Sequence, residues 1–311
     1  ILMFGKIFNL FKKKLKLITH DGTFHADEIF ATAALKILFN KRGENFEVVR
    51  TRVEEVFKTG DYVYDVGGVY DEVNNRFDHH QPGGAGAYAD GIPYSSFGLI
   101  WKKHGSEIAG GEEVMEIITE KLVKPIDAFD NGVSITESKS KVDPYIIQRF
   151  FESISRPTWE EDVALTDAYF NRNVELAKEI LEREIVHTQA KINARAGLIK
   201  CYEDAKDKRI VIFDRRYPLG GINKLMPEAL FIVSERRHDG VWSLLTIRKT
   251  DDPDNFANKK DLPKAWAGLR DEELQKVTGV SDAVFCHNAL WMAVAKTKEG
   301  AMKLAQIALE S

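Results

Sequence analysis

The pattern of apolar and polar residues in the first part of the chain predicts strands that alternate with helices. LKLIT at 15–19 is a short apolar run of strand type, and the residues after it place apolar side chains at helical spacing from Ile29 to Leu38. FEVVRTR at 46–52 and DYVYDVGG at 61–68 predict two further strands, separated by a short helical turn. This alternation is typical of a doubly wound parallel sheet.

Two helices are predicted after these strands. SSFGLIWKKHG forms the first and ends at Gly105, and a longer one runs from about Glu112 to Pro125. The segment from 159 to 205 is polar, has an apolar stripe at helical spacing and carries no strand signal. We therefore expect it to be a connecting helical segment.

The last part of the chain has a different pattern. RIVIF at 209–213, ALFIVSERR at 229–237 and VWSLLTIRK at 241–249 predict strands, and the last two are joined by a turn at 238–240. A helix at 297–310 closes this part. The expected organisation is an α/β catalytic domain at 1–158, the connecting segment at 159–205, and a smaller mixed α/β substrate-binding domain at 206–311.

Composition excludes several classes of protein. The 311 residues are 44% hydrophobic and 30% charged, which is ordinary for a globular enzyme or binding protein and unlike a disordered chain. The formal net charge is -4 and the pI is about 6.1, so there is no global attraction to a polyanion. Any contact with nucleic acid has to be local.

Cysteine content and hydropathy indicate the compartment. Two cysteines far apart, Cys201 and Cys286, argue against a disulfide framework and favour a reducing compartment. No apolar run reaches the roughly 18 to 20 residues that span a bilayer. The apolar and basic N-terminal stretch has no small-residue cleavage site. We expect a cytoplasmic protein without a membrane partner. Because the chain begins at Ile1, the sequence leaves open whether an upstream targeting segment exists.

Four stretches concentrate histidine and aspartate where strands or helices are expected to end. They are THDGTFHADE, YVYDVGG, FDHH and KPIDAFDNG. Taken singly, each has a plain explanation as a cap, a turn or a residue at the core edge. Ligands gather at the carboxyl ends of parallel strands, so the coincidence of all four favours one metal site.

The donor atoms in these stretches indicate the kind of metal. They are nitrogen and oxygen with no cysteine nearby, which suits manganese, magnesium or iron better than a thiolate zinc site. The four stretches together offer more ligand atoms than one metal ion needs. Two ions that share a carboxylate would use it fully, and such pairs activate water for attack on phosphorus.

The order of HxxxxHxD, a strand-end aspartate, DHH and a later aspartate resembles the DHH superfamily of phosphoesterases. That superfamily includes RecJ exonucleases, short-oligonucleotide ribonucleases and manganese-dependent pyrophosphatases. THDGTFHADE, YDVGGVYD, RFDHHQ, IPYSSFGLIWKKHG and IDAFDNG look like the melanocyte proliferating gene 1 family, over nearly the whole chain. Older descriptions of that family call it metal-dependent protein hydrolases, and its better-studied member is regarded as a 3′ to 5′ exoribonuclease.

The resemblance implies two divalent cations, manganese first and magnesium or another metal as alternatives. Their ligands would be His20, His25 and Asp65 at one site, and Asp27, Asp65, His79 and Asp127 at the other, with Asp130 as the alternative to Asp127. Asp65 would be the shared, catalytic carboxylate, His80 would face the scissile phosphate, and Asp78 would orient a histidine. Much of the superfamily has aspartate in place of His25, which makes the first site here less anionic.

The C-terminal domain is expected to hold the substrate. DRRYPLGGINK combines arginines with glycines that let backbone N–H groups approach a phosphate, although a strand-to-helix turn with solvated arginines explains it equally well. FCHNALW lies where DHH-associated domains carry a Gly-Gly-Gly-His loop, but it lacks the three glycines. The candidate substrate contacts are Arg215, Arg216, Gly220, Gly221, Lys224, His287 and Asn288.

The function expected from these observations is a two-metal phosphodiesterase that shortens RNA or short oligonucleotides, as a 3′ to 5′ exonuclease. The alternatives are hydrolysis of pyrophosphate or nucleotide phosphates, and a metal-binding regulatory protein without catalysis. Peptide hydrolysis has little support, because the chain has neither an HExxH helix nor a GxSxG elbow. The oligomeric state stays open, with a homodimer among the alternatives.

Overall fold

The structure is a computed structural model that describes residues 13–137, 141–142, 144–155, 157–236, 239–252 and 255–311. The chain forms two compact units that divide between Thr188 and Gln189. Residues 1–12 of the apolar and basic N-terminal stretch and part of the turn expected at 238–240 lie outside the described residues.

The first unit is built on a five-stranded sheet in the order β2-β1-β3-β5-β4. Its strands are β1 (Leu15–Thr19), β2 (Phe46–Arg50), β3 (Tyr62–Tyr64), β4 (Tyr70–Asp71) and β5 (Arg76–Phe77). Strands β2, β1, β3 and β5 are parallel, and only β4 at the edge runs antiparallel to its neighbour. The expected parallel α/β architecture is confirmed.

Helices complete the first unit. They are α1 (Ala26–Arg42), α2 (Glu54–Phe57), α3 (Ser96–Ala109), α4 (Glu112–Ile118), α5 (Lys124–Asp130) and α6 (Ile147–Ser155). The apolar face of α1 packs on α3, where the rings of Phe30 and Phe97 have centroids 5.4 Å apart. Phe151 of α6 meets the same Phe30 ring edge-on at 5.5 Å. These contacts make α1 the central helix of the core, with Leu17 and Ile18 of β1 fully buried nearby.

The helix expected to end at Pro125 does not end there. A single wide π-helical turn at Thr119–Val123 follows α4, and α5 then continues to Asp130 with Pro125 in its first turn. Proline is tolerated in a first helical turn because its missing N–H would have no partner there. The correction matters for the site, because the chain reaches Asp130 as helix rather than as loop.

A long helix, α7 (Thr166–Glu203), occupies most of the segment expected to be helical, and the second unit follows from Gln189. Its sheet has the order β6-β7-β8-β10-β9. The strands are β6 (Ile210–Ile212), β7 (Phe231–Glu235), β8 (Trp242–Thr246), β9 (Ala283–Cys286) and β10 (Met292–Ala295); the helices are α8 (Ile222–Leu225), α9 (Asp271–Thr278) and α10 (Lys298–Glu310). Only β6 and β7 are parallel, so this sheet is mixed, as expected.

Alternating residues of the second sheet enter two separate cores. Phe231, Val233 and Leu244 pack with Leu304 of α10 on one face. Ile232 packs with the end of α7 and with the residues around α8 on the other face. This alternation is the two-residue period of a strand, and it explains why both faces of β7 are apolar.

Two further expectations concern cysteine and the membrane. Cys201 and Cys286 are buried free thiols, as their spacing in sequence indicated. Within the described ranges, none of the helices combines the length and the apolar character that crossing a bilayer requires.

Candidate metal centre

Three histidine- or aspartate-bearing loops follow parallel strands of the first sheet. His20 comes directly after β1, Asp65 directly after β3, and His79 two residues after β5. Parallel strands place their carboxyl ends at one edge of a sheet, so the three side chains converge. With α1 and α5 they line a cavity of about 850 Å³. Its histidine and carboxylate residues include His20, His25, Asp27, Asp65, His79 and Asp130.

Asp65 stands at the centre of this cluster. Its Oδ2 lies 3.1 Å from Nε2 of His20, and its Oδ1 lies 3.3 Å from Nε2 of His79. The backbone at Asp65 has φ of 56°, a left-handed conformation that non-glycine residues rarely adopt. Such strained residues cluster at functional sites, where the surrounding structure holds them. One carboxylate therefore connects the loops after β1 and β5.

Asp130 joins the cluster at the end of α5. Its Oδ2 lies 3.2 Å from Nε2 of His79. Asp127, which the resemblance placed first as the ligand, points elsewhere: its carboxylate accepts hydrogen bonds from Tyr88 Oη at 2.7 Å and Ser95 Oγ at 2.5 Å. The backbone N–H of Gly98 donates to Asp127 as well, and a Cβ at position 98 would lie only 1.8 Å from its Oδ2.

Glu28 is a member of the cluster that the sequence analysis did not identify. Its Oε1 lies 3.1 Å from Nε2 of His20, and its other oxygen accepts a hydrogen bond from the backbone N–H of His25 at 2.8 Å. A glutamate at the third position of a helix commonly makes this capping contact. The glutamate of the motif HADE can therefore be explained as a cap alone, and its contact with His20 is not evident from the motif. The feature of the sequence that could have identified Glu28 as a member of the cluster is its position next to Asp27.

The remaining candidates are close to these residues. Asp27 is 1% exposed, and its Oδ2 accepts a hydrogen bond from Ser96 Oγ at 2.7 Å. His25 can bring a ring nitrogen within 4.8 Å of ligand atoms of His20 and Glu28, or of Asp27 and Asp130. His25 therefore lies between two sets of donors.

Several buried atoms of the cluster make no hydrogen bond. They are Asp27 Oδ1, Glu28 Oε1, Asp65 Oδ1 and His79 Nε2. Buried polar atoms almost always make hydrogen bonds, so four atoms without one in a single cavity need an explanation, although three of them lie 3.1–3.3 Å from a histidine or carboxylate. A divalent cation uses carboxylate oxygens and imidazole nitrogens as ligands, and these four atoms fit that requirement.

The electrostatics of the cluster also favour a cation. Burial raises the pKa of Glu28 to about 8. Burial and the neighbouring carboxylates raise the pKa of Asp130 to about 9. Burial acts in the same direction on Asp65, but the close contacts with the His20 and His79 rings outweigh it and lower its pKa to about 2. The carboxylates are too close together to be ionised at once without positive charge beside them. Without a metal, that charge would come from His20 and His79, whose pKa values, despite burial, are raised by the carboxylates to about 11 and about 9.

Asp78 and His80 form a separate pair at the edge of the cavity. Asp78 is 2% exposed, and its Oδ1 lies 2.7 Å from Nδ1 of His80 while also accepting the backbone N–H groups of His79 and His80. This contact raises the pKa of His80 despite some burial. With Nδ1 engaged, Nε2 is the ring nitrogen of His80 that remains for a substrate, on a side chain that is 61% exposed.

The candidate contacts of the second unit fall into two places. Arg215, Arg216, Gly220 and Lys224 are exposed along the loop before α8 and on α8, and Gly221 caps that helix with φ of 78°. Asn288 is exposed in the turn between β9 and β10. The His287 ring there lies 5.0 Å from that of Trp291. Of the candidate contacts, Gly220 lines a cavity of about 760 Å³ together with Trp291, and the other candidates are not among its lining residues.

A family model and two curated relatives agree on the family that this chain resembles. The family model MYG1_exonuc, described as "Uncharacterised protein family (UPF0160)", matches residues 16–309. A MYG1 protein of Schizosaccharomyces pombe is 30% identical over 325 residues, which are 95% of this chain and 98% of that protein. The MYG1 exonuclease of Homo sapiens is 30% identical over 331 residues, which are 94% of this chain and 85% of that protein.

One solved structure also aligns with most of this chain. RecJ of Thermus thermophilus in complex with Mn²⁺ aligns with 12% identity and a TM-score of 0.29. The alignment covers 95% of this chain and 52% of the RecJ chain, so the present chain spans about half of that protein.

Proposed function

Because this chain belongs to the MYG1 exonuclease family, we propose that it is a metal-dependent phosphodiesterase that shortens RNA or short oligonucleotides from the 3′ end. The observation that carries the proposal is the position of Asp65, whose two oxygens lie within 3.3 Å of His20 and His79. The human relative is named an exonuclease, which supports the substrate class. The membership itself confirms the resemblance seen in the sequence.

The proposed metal ligands form two sets that share Asp65. One set is His20, His25 and Asp65, with Glu28 beside it; the other is Asp27, Asp65, His79 and Asp130. Asp130 replaces Asp127 in this assignment because Asp130 contacts His79, whereas the Asp127 carboxylate is occupied by Tyr88, Ser95 and Gly98. We propose manganese, with magnesium as the alternative. Such ions supply Lewis acidity toward the phosphoryl oxygens and lower the pKa of water.

The side chains around this centre would position the reacting groups. His80 would contact the scissile phosphate or the leaving oxygen through Nε2, because Asp78 holds its Nδ1. Asp78 also binds the backbone N–H of Gly68 at 2.5 Å, so it ties the loop after β3 to the loop after β5. A rigid arrangement of this kind lowers the entropic cost of aligning substrate and nucleophile.

An aromatic side chain in the cavity favours a nucleotide over a small inorganic phosphate. Phe129 lines the cavity next to Asp130 and is 40% exposed. Exposed aromatic rings stack on nucleobases in sites for single-stranded nucleic acid, typically contributing about 1–3 kcal/mol per base. Pyrophosphate would not use such a surface. In the second unit, we propose that Arg215, Arg216 and Lys224 meet the phosphate backbone, with Gly220, Gly221, His287 and Asn288 as further contacts.

The test is manganese-dependent digestion of a short RNA labelled at its 5′ end. A 3′ to 5′ exonuclease produces a ladder of shortened labelled fragments, whereas the opposite polarity releases the labelled nucleotide first. Asp65→Asn should abolish the ladder, and Asp90→Asn, which changes a half-exposed carboxylate outside the cavity, should not. Release of phosphate from pyrophosphate without RNA shortening would move the substrate to small phosphates. Inactivity toward both would favour the regulatory alternative.

A further inference from the structure

The cavity around the proposed metal centre has more negative than positive side chains, which is unfavourable for a phosphate substrate. Its walls carry several carboxylates, and of the described residues that line it, Arg52 is the one lysine or arginine. A phosphodiester that approaches metal ions in such a cavity also meets the negative field of its walls. A guanidinium at the mouth would offset this repulsion, since it binds phosphate oxygens through two parallel hydrogen bonds.

The surroundings of Arg52 leave its guanidinium available. The residue follows β2 and is 63% exposed at its side chain. Its Nε lies 3.5 Å from Oδ1 of Asp21, a pair on the surface in which both side chains are more than half exposed. Exposed pairs of this kind contribute little, about 0–1 kcal/mol, so a phosphate can displace the contact readily.

The second contact of Arg52 is with His20, a proposed metal ligand. Nη2 of Arg52 lies 3.1 Å from Nδ1 of His20, and the backbone oxygen of Asp21 lies 2.9 Å from the same Nδ1. A guanidinium can only donate and a carbonyl can only accept, so Nδ1 can satisfy one of them but not both.

The contact between Arg52 and His20 is therefore in competition with the shorter contact from the Asp21 carbonyl, and it leaves the guanidinium able to turn toward a phosphate.

We propose that Arg52 is the phosphate-binding residue of this cavity. The proposal rests on the proposed function for the identity of the substrate, but the subsite itself would bind any accessible phosphate group. Its occupant is a non-bridging phosphate oxygen pair, contacted by the guanidinium in the manner of arginine with phosphate.

The experiment measures binding of inorganic phosphate by calorimetry to the manganese-loaded full chain. Arg52→Ala should weaken binding about tenfold or more, because it removes charged hydrogen bonds. Arg52→Lys should lose less, since it keeps the charge without the fork. Arg149→Ala is the matched control, because Arg149 is exposed on α6 and is not among the residues lining the cavity. Manganese content and the melting temperature are measured for each variant.

Three results would overturn the proposal. The first is phosphate binding by Arg52→Ala that equals that of Arg149→Ala. The second is absence of phosphate binding by the loaded wild type. The third is loss of manganese together with phosphate in Arg52→Ala, which would show that Arg52 acts through His20. RNA digestion is run beside the calorimetry, so an inactive wild type that still binds phosphate through Arg52 would reject the nuclease function and keep the subsite.

Discussion

Oδ2 of Asp130 lies 3.2 Å from Nε2 of His79, across the cavity between α5 and the loop after β5. This contact joins the end of a helix to the DHH motif. We therefore propose Asp130 as the carboxylate of the second metal site, because Asp127, three residues earlier, is fully buried and hydrogen-bonded elsewhere.

The two aspartates should therefore respond differently to the same substitution. We expect Asp130→Asn to lower RNA turnover about 100-fold or more and to reduce bound manganese, since a ligand is lost. Asp127→Asn should instead lower stability, by about 1–3 kcal/mol, because it disturbs buried hydrogen bonds. Metal analysis and thermal melting of both variants test this. Full manganese content in Asp130→Asn, with loss in Asp127→Asn, would reverse the assignment.

Glu28 has a capping role and a proposed role beside the metal, and these can be separated. Glu28→Gln keeps an oxygen that can accept the N–H of His25, so α1 should stay stable. The lost negative charge beside His20 should weaken manganese binding about 10- to 100-fold. Titration with manganese, read by calorimetry, measures the affinity, and helicity is checked by circular dichroism. An unchanged affinity in Glu28→Gln would restrict Glu28 to the cap.

Metal binding should stabilise the first unit, because the cluster holds buried atoms without hydrogen bonds. At a manganese concentration 100 times the dissociation constant, the expected gain is about 2.7 kcal/mol per site. The rise in melting temperature should disappear on addition of a chelator and be much smaller in Asp65→Asn. Equal stabilisation of Asp65→Asn and wild type would remove Asp65 from the ligand set.

Phe129 should distinguish nucleotide substrates from small phosphate esters. Phe129→Ala is expected to lower kcat/KM for short RNA about 5- to 100-fold, the equivalent of one stacked base. Hydrolysis of bis(p-nitrophenyl) phosphate should change less, and Phe129→Tyr should retain RNA activity because it keeps the ring. Steady-state kinetics on both substrates provide the measurement. The same loss on both substrates would argue for a structural effect of Phe129 on α5.

His104 predicts a pH dependence of stability that does not involve the metal centre. Burial, with Lys103 and Arg42 adding to it and Glu107 and Glu72 opposing it, lowers the pKa of His104 from 6.5 to about 4. Its Nε2 lies 3.5 Å from the hydroxyl of Tyr62. Between these two pKa values, the unfolded chain binds a proton that the folded chain does not. Stability should therefore fall as the pH drops from 6.5 toward 4, by about 3 kcal/mol in total.

The matched variant for this prediction is His104→Phe, which removes the titrating group and keeps a ring against Tyr62. Denaturant unfolding at pH 7 and at pH 4.5 should show a smaller loss of stability in the variant than in the wild type. Equal losses in the two proteins would show that His104 does not cause the pH dependence.

Much of the architecture follows from local pattern. The apolar run LKLIT and the helical spacing after it correctly predict β1 and α1, and the apolar runs at 229–237 and 241–249 predict β7 and β8. The short strands β4, β5, β9 and β10 were not predicted. The helix expected to end at Pro125 continues, because proline is compatible with the first turn of α5.

The chemistry of the cluster was readable in the sequence because histidine and aspartate follow strands that must be parallel in an alternating α/β chain. Which side chains meet was not readable. Asp127 and Asp130 are both helical acidic residues of one motif, and only packing of α5 against the loop containing Tyr88 and Ser95 turns the first away from the cavity. In the sequence, Glu28 can be recognised as a helix cap and Arg52 as a surface charge. The contact of Glu28 with His20 depends on how the loop after β1 folds back on α1, and that of Arg52 depends on the pairing of β1 with β2. No local pattern encodes either arrangement, and for that physical reason only the tertiary structure decided it.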